Sequence, residues 1–288
     1  MKKFKIIYDE PGQSCNRFWS YIASISWALE NNAIVYVLFW DHNFKDFDQL
    51  FLNNKLIKFP FYKENLWNFH IRSFFPYRSL FSRTIGHPFM RKMYRKWYYD
   101  GEKYNFVSGW KTRGSANYIR YREVFKTIFR PNDDIVREID TFFNGIHESF
   151  DFVIGVHIRR GDYREYRNGI YYYSHTQYRE KMLEMEEVYK KQKNVCFFIA
   201  SNERVPLDVF KGLNVFYIPE NSTAADLYAL SKCDRLIGPS STFTRWVSFI
   251  ENIPLYYIFD MQKRIDNDQL FSPILDFYHF KNGESLPF

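Results

Sequence analysis

Along the chain, hydrophobic positions switch repeatedly between two patterns. Short unbroken β-branched or aromatic runs alternate with stretches whose apolar residues recur every three or four positions, the alternation that builds parallel α/β sheets. It begins with "FKIIY" (Phe4 to Tyr8) as a strand and "PGQSCNR" as a loop; Phe18, Ile22, Ile25 and Leu29 then follow at helical spacing as far as Asn31 and Asn32. "IVYVLF" resumes a strand. The result is a βαβ unit with a loop at the carboxyl end of its first strand.

The middle, residues 41–114, has weak periodicity and predicts irregular helices and loops around a strand near "YNFVSG". Two helices follow, "YIRYREVFKTIF" and "NDDIVREIDTFF"; Pro131 precedes the second, and acids in its first turn complement the helix dipole. From Asp151 the alternation returns in full. Strands "FVIGVHI", "VCFFIA", "VFYI", "RLIG" and "PLYYIF" are separated by helices at 174–191, "PLDVFKG", "AADLYALSKC" and "STFTRWVSFIE". Ser174 and Gln177 form a predicted capping box. The expected architecture is α/β, with two Rossmann-like doubly wound domains, 1–147 and 148–288, facing a cleft. Ligands in such sheets lie beyond the carboxyl ends of strands, which singles out the loops after "FKIIY", "GVHI" and "RLIG".

Composition adds constraints. Aromatic residues make up 21% of the chain, with 31 Phe and 23 Tyr, enough to fill cores and to offer flat walls to sugars or bases. No apolar run approaches the roughly 18 residues that span a bilayer. Asp9 and Glu10 interrupt the amino-terminal run too early for a signal peptide, so the expected location is cytoplasmic. Cys15, Cys196 and Cys233 are far apart and suit reduced thiols. Net charge is +7, but residues 71–130 hold 14 Lys or Arg against Asp100, Glu102 and Glu123, leaving the remainder net acidic. That basic, aromatic segment suits an anionic membrane surface, a phosphate-bearing acceptor or nucleic acid; a solvated basic face accounts for it equally well.

The densest chemistry lies in "HIRRGDY". Side chains alternate as the strand ends near Ile158, so His157 shares a face with Arg159, and Arg160 leaves on the other side. An imidazole beside a guanidinium fork suits a diphosphate ester and its base or sugar, with Arg160 bracing the loop. Gly161 permits a sharp turn, and Asp162 can orient an arginine or accept a proton. The plainer account is a surface ion pair of Arg160 with Asp162, worth at most about 1 kcal/mol. Two Asp-x-Asp tripeptides, Asp46-Phe47-Asp48 and Asp266-Asn267-Asp268, raise metal binding. Neither follows an evident strand end, and Phe44, Phe47 and Phe51 recur at helical spacing and suggest packing, so no metal is expected.

"HIRRGDY" resembles the His-x-Arg-Arg-x-Asp motif of the α-1,2/α-1,6/O-fucosyltransferase superfamily, and of bacterial α-1,2-fucosyltransferase-like proteins in particular. "TAADLYALSKCDRLIGPSSTFTRW" resembles a second signature, "GQSCNR" is similar to the Gly-x-x-Asn-Gln/Arg loop of the amino-terminal half, and "FFIASNE" resembles a fourth element. The resemblance implies a GT-B fold, GDP-fucose as donor in the carboxyl-terminal domain, a glycan acceptor held mainly by the amino-terminal domain, and neither metal nor other cofactor. It implies that Arg159 holds the departing β-phosphate and that His157 and Asp226 read guanine. Ser240, Ser241 and Thr242 would cradle phosphate, with ordinary helix capping as the alternative for that loop.

Ser201, Asn202, Asn16 and Arg17 complete the implied binding set, although the family often has an acid where this chain has Asn202. Asp162 and Glu165 compete as general base. The implied reaction is inverting transfer of L-fucose, in α-1,2 linkage, to a surface polysaccharide. The acceptor would be lipid-linked, with residues 71–130 approaching the inner face of the plasma membrane. Two alternatives stand: a GT-B enzyme using another nucleotide sugar, and a nucleic-acid-binding protein. The latter leaves both α/β halves unexplained, and no nucleic acid is expected as partner.

Overall fold

The computed structural model describes residues 4–8, 12–38, 46–47, 50, 54–59, 88–89, 104–107 and 116–274. These fall into two compact units that divide between Arg130 and Pro131. Most of the basic aromatic segment, together with Phe44, Asp48 and Phe51, lies outside the described residues.

In the first unit, β1 (Phe4–Ile7), β2 (Ile34–Val37), β3 (Ile57–Lys58) and β4 (Tyr104–Val107) form a parallel sheet in the order β3-β2-β1-β4. The connection from β1 to β2 is α1 (Ser14–Glu30), which buries Phe18, Ile22 and Ile25 as their spacing requires. It stops where expected. Asn31 donates from its backbone and side chain to Trp27 O, and Asn32 turns left-handed at φ 47°. Phe47 is fully buried, its ring edge-on to Phe18 at 5.2 Å, the packing role expected of it.

The stretch "YIRYREVFKTIF" is not one helix. A 3-10 segment (Ala116–Tyr121) precedes α2 (Arg122–Ile128), because Tyr121, at φ -104° and ψ 16°, leaves the α-helical region between them.

The second unit opens with α3 (Asp133–His147), capped by Asn132, whose side chain accepts from Ile135 N at 2.9 Å. Its apolar stripe covers the second sheet: Phe143 packs on Phe198 at 5.4 Å, and Phe142 meets Phe216 at 6.2 Å. The strands are β5 (Phe152–Ile158), β6 (Val195–Ser201), β7 (Val215–Tyr217), β8 (Arg235–Pro239) and β9 (Leu255–Ile258). All pair in parallel, in the order β7-β6-β5-β8-β9. β5 is buried along its whole length and β6 along nearly all of it, as continuous apolar runs demand of strands covered on both faces. The connecting helices are α4 (His175–Tyr189), α5 (Thr223–Leu230) and α6 (Thr242–Glu251).

The capping box forms as read: Ser174 Oγ accepts from Gln177 N, and Gln177 Oε1 from Ser174 N. "PLDVFKG" is not a helix but a single 3-10 turn (Leu207–Phe210). Pro206 and the left-handed Gly212 (φ 95°) bracket too few residues to nucleate an α-helix. The chain order reverses direction between β5 and β8. In open α/β sheets such a switch point is where the loops leaving the carboxyl ends diverge to make a ligand crevice.

Candidate active site

His157 stands at that switch point. Gly238 of β8 lies so close that a Cβ there would sit 3.0 Å from His157 O and 3.1 Å from His157 Cβ, so only glycine admits the approach. The imidazole stacks on Phe243 of α6, with centroids 4.7 Å apart and planes 22° apart. It is 3% exposed, and its Nδ1 has no hydrogen-bond partner among the described residues. Burial first, and the nearby Arg159 charge second, lower its pKa to about 3. The ring is therefore neutral at working pH, with one nitrogen left for a ligand.

The following turn separates the two arginines. Arg159 Nη2 donates to Asp162 Oδ2 at 2.8 Å, and its guanidinium lies 5.5 Å from the centre of the Tyr163 ring. Arg160 faces the other way. Its Nε donates to Glu203, its Nη1 to Tyr173 O at 2.7 Å and its Nη2 to the Tyr172 hydroxyl at 2.6 Å. The plainer alternative, an Arg160–Asp162 ion pair, is not what forms: Asp162 belongs to Arg159, because alternation at the strand end sends Arg160 toward β6 and α4.

Asn202 fits against this turn. Its Oδ1 accepts from Arg160 N at 2.9 Å, and its Nδ2 fills the space where a Cβ on Gly161 (φ 48°) would lie, 2.7 Å away. Ser201 closes the end of β6, its Oγ accepting from Glu203 N at 3.2 Å.

On the other side of the crevice, Ser241 caps α6, accepting from Phe243 N at 3.2 Å, the ordinary capping role weighed for this loop. Ser240 O accepts from the Tyr163 hydroxyl at 2.8 Å, which ties the loop after β5 to the loop after β8. Thr242 is the first residue of α6. Asp226 sits in the first turn of α5, whose N-cap is Ser222. Its Oδ1 accepts from Asn221 Nδ2 at 2.8 Å, and burial raises its pKa to about 7 despite that bond.

The fold therefore gathers His157, Arg159, Asp162, Ser240, Ser241 and Thr242 at the carboxyl ends of β5 and β8, with Ser201 and Asn202 at the end of neighbouring β6. Glu165 lies farther along the loop, its side chain exposed. Asn16 and Arg17 belong to the first unit, where Arg17 Nε donates to Gly12 O at 3.1 Å. Glu203, Tyr163 and Tyr172 escape sequence reading: Glu203 lies one place beyond the position where the motif carries its acid, and the tyrosines merge into an aromatic-rich loop.

Among the described residues, no group of three His, Cys, Asp or Glu side chains could hold a metal ion, and no helix is long and apolar enough to cross a membrane. Asp268 is engaged otherwise, by Arg235 through two hydrogen bonds of 2.7 and 2.8 Å.

The chain is similar to solved structures with a mixed α/β, GT-B-like fold, fucosyltransferase NodZ among them. NodZ from Bradyrhizobium is 17% identical, with 90% of this chain and 96% of that one covered at a TM-score of 0.56. POFUT1 in complex with GDP is 12% identical over 88% and 95%, at 0.57. FUT1 of Arabidopsis thaliana, also with GDP, is 11% identical over 94% and 73%, at 0.60. No curated protein matches the sequence. The chain belongs to glycosyl transferase family 11, whose family model matches residues 42–262. That match bears out the fucosyltransferase resemblance of the motifs.

Proposed function

We propose that the protein transfers L-fucose from GDP-β-L-fucose to a hydroxyl of a glycan, with inversion at the anomeric carbon. The observation that carries this reading is the pairing at one crevice of a neutral, unpartnered His157 with the charged Arg159–Asp162 couple. Neutral His157 would hydrogen-bond the guanine, and the carboxylate of ionised Asp226 would accept from the N1 and N2 donors of that base. Ser240, Ser241 and Thr242 would line the phosphates at the start of α6. Ser201 and Asn202 border the donor site, while acceptor recognition falls to the first unit with Asn16 and Arg17.

In the transfer, the acceptor oxygen attacks C1 of fucose while the bond from C1 to the β-phosphate oxygen breaks, and GDP leaves with the electron pair. Arg159 stabilises the charge that grows on that phosphate as the sugar becomes oxocarbenium-like, a fixed cation where a metal would otherwise serve. Asp162 takes the hydroxyl proton; Glu165, exposed and farther along the loop, is the alternative base. The product is an α-linked fucoside, in α-1,2 linkage within a bacterial surface polysaccharide, made on a lipid-linked acceptor at the inner membrane face.

Calorimetry tests the donor. GDP should bind more tightly than UDP or ADP, and Arg159→Ala should weaken it; equal affinity for the three nucleotides, or an unaffected variant, would sink the proposal. Transfer in the presence of EDTA tests metal independence, and a glycan array with GDP-fucose identifies the acceptor and linkage.

A further inference from the structure

Arg160 makes more contacts than a loop arginine needs. All three of its guanidinium nitrogens donate to separate acceptors, and its backbone N–H donates to Asn202. Its plane also lies 4.4 Å from the Tyr172 ring. Of these partners only Glu203 is charged. The pair is largely shielded: Arg160 is 16% and Glu203 33% exposed at the side chain, so it is screened less than a surface pair would be.

Glu203 is itself held in place. Its backbone N–H donates to Ser201 Oγ at 3.2 Å, and its carboxylate lies 3.7 Å from His175 Nε2. His175 follows the Ser174 capping box directly, so the acid is fixed between the end of β6 and the start of α4. Both are rigid parts of the fold. Arg160 links them to the turn that follows, where Gly161 is left-handed and Asp162 and Arg159 pair.

We infer that Glu203 is a positioning residue: by holding the Arg160 guanidinium against β6 and α4, it sets the turn that presents Arg159 to the β-phosphate of a guanosine diphosphate. The inference rests on the reading of Arg159 as the phosphate-holding group. Without the Glu203 charge, Arg160 keeps two neutral acceptors, and its guanidinium, two residues from Asp162 in the chain, becomes a rival to that of Arg159, three residues away. Arg159 then loses its fixed orientation, although nothing that reads the base has changed.

The test compares guanosine diphosphate with guanosine monophosphate by calorimetry, since the ratio of the two affinities isolates the β-phosphate contact. In Glu203→Gln the ratio should fall by about tenfold, the scale of one charge-assisted contact, with monophosphate affinity retained. Glu203→Asp, which keeps the charge, should recover most of the ratio. A general loosening of the fold would lower the melting temperature or both affinities together, and would not move the ratio.

Should Glu203→Gln fail to fold, Tyr172→Phe removes another Arg160 acceptor without changing charge, and the ratio should drop about threefold, as for one neutral hydrogen bond. Arg159→Ala separates the two levels of the reading. If wild type prefers the diphosphate and Arg159→Ala abolishes that preference, an unchanged ratio in the folded Glu203 or Tyr172 variant overturns the role of Glu203 alone. If Arg159→Ala leaves the preference intact, the role of Arg159 fails first, and that of Glu203 with it.

Discussion

The carboxylate of Asp162 lies 2.8 Å from the guanidinium of Arg159, so the proton acceptor and the phosphate clamp of the proposed reaction occupy each other in the absence of donor. Only Arg159 Nη2 is engaged by Asp162, so the other N–H donors of the guanidinium can meet a phosphate while the carboxylate holds it in place. Asp162→Asn removes the charge that orients Arg159, so GDP binding should weaken by about threefold, because a half-exposed ion pair is worth at most about 1 kcal/mol. The same substitution should slow transfer by about a hundredfold or more through loss of the base. Calorimetry and initial rates of GDP release from GDP-fucose read the two effects, and tighter GDP binding in the variant would contradict the orienting role of Asp162.

Asp226 should make donor affinity depend on pH. Burial lifts its pKa from 3.8 to about 7, so the acid is half protonated near neutrality, and in the proposed site only the ionised form would accept from both guanine donors. GDP affinity should rise with pH through about 7 in wild type and lose that rise in Asp226→Asn. The folded state holds the proton more tightly than the unfolded one, so this group's contribution to stability declines as pH climbs from 3.8 to about 7. Asp226→Asn should accordingly melt higher than wild type at pH near 8 while binding GDP less well. Thermal scans across the pH range check the sign.

His157 acts in the opposite direction. Its folded pKa of about 3 lies below the ordinary 6.5, so the unfolded chain takes up the proton first as the solution is acidified. The stability it contributes is fully present above 6.5 and is lost as pH falls toward 3. In His157→Gln, the drop in melting temperature between those limits should be smaller than in wild type. Equal drops would show that the buried imidazole is not a source of acid sensitivity.

Gly161→Ala places a Cβ 2.7 Å from Asn202 Nδ2 at a backbone φ of 48°. The left-handed conformation alone costs about 1–2 kcal/mol for a residue with a side chain. The melting temperature should fall by a few degrees, while transfer should fall by more than stability explains, because the turn carries Arg159 and Asp162. Denaturant titration alongside initial rates distinguishes the two losses.

Local chemistry was legible in the sequence, and distant partnership was not. Ser174 and Gln177 announce a helix start because both halves of the capping box lie within four residues. The strand runs and the helix stop at Asn31 are equally local. "PLDVFKG" misled because one turn of apolar spacing looks the same in a 3-10 turn as in an α-helix. The amphipathic stripe of α3 promised a buried face without naming the sheet that Phe142 and Phe143 would cover.

Within the site, alternation at the strand end separated Arg159 from Arg160, but it could not choose the partner of Asp162. Glu203 was invisible because its arginine lies 43 residues away. A motif records which residues recur together along a chain; contacts between separate strand ends leave no fixed spacing to read.

The order of strands also bears on how the chain emerges from the ribosome. β5 gains β6 as a neighbour once residues 195–201 have been made, but its other edge waits for residues 235–239. Until then the central strand carries a row of bare N–H and C=O groups that another nascent chain could pair with. Asp234 closes that window, binding Val153 through both its backbone N–H and its carboxylate, each at 2.8 Å, as β8 begins. A truncation or a long stall before that point leaves a protein with an intact His157 and both arginines, yet with a sticky edge in place of a crevice.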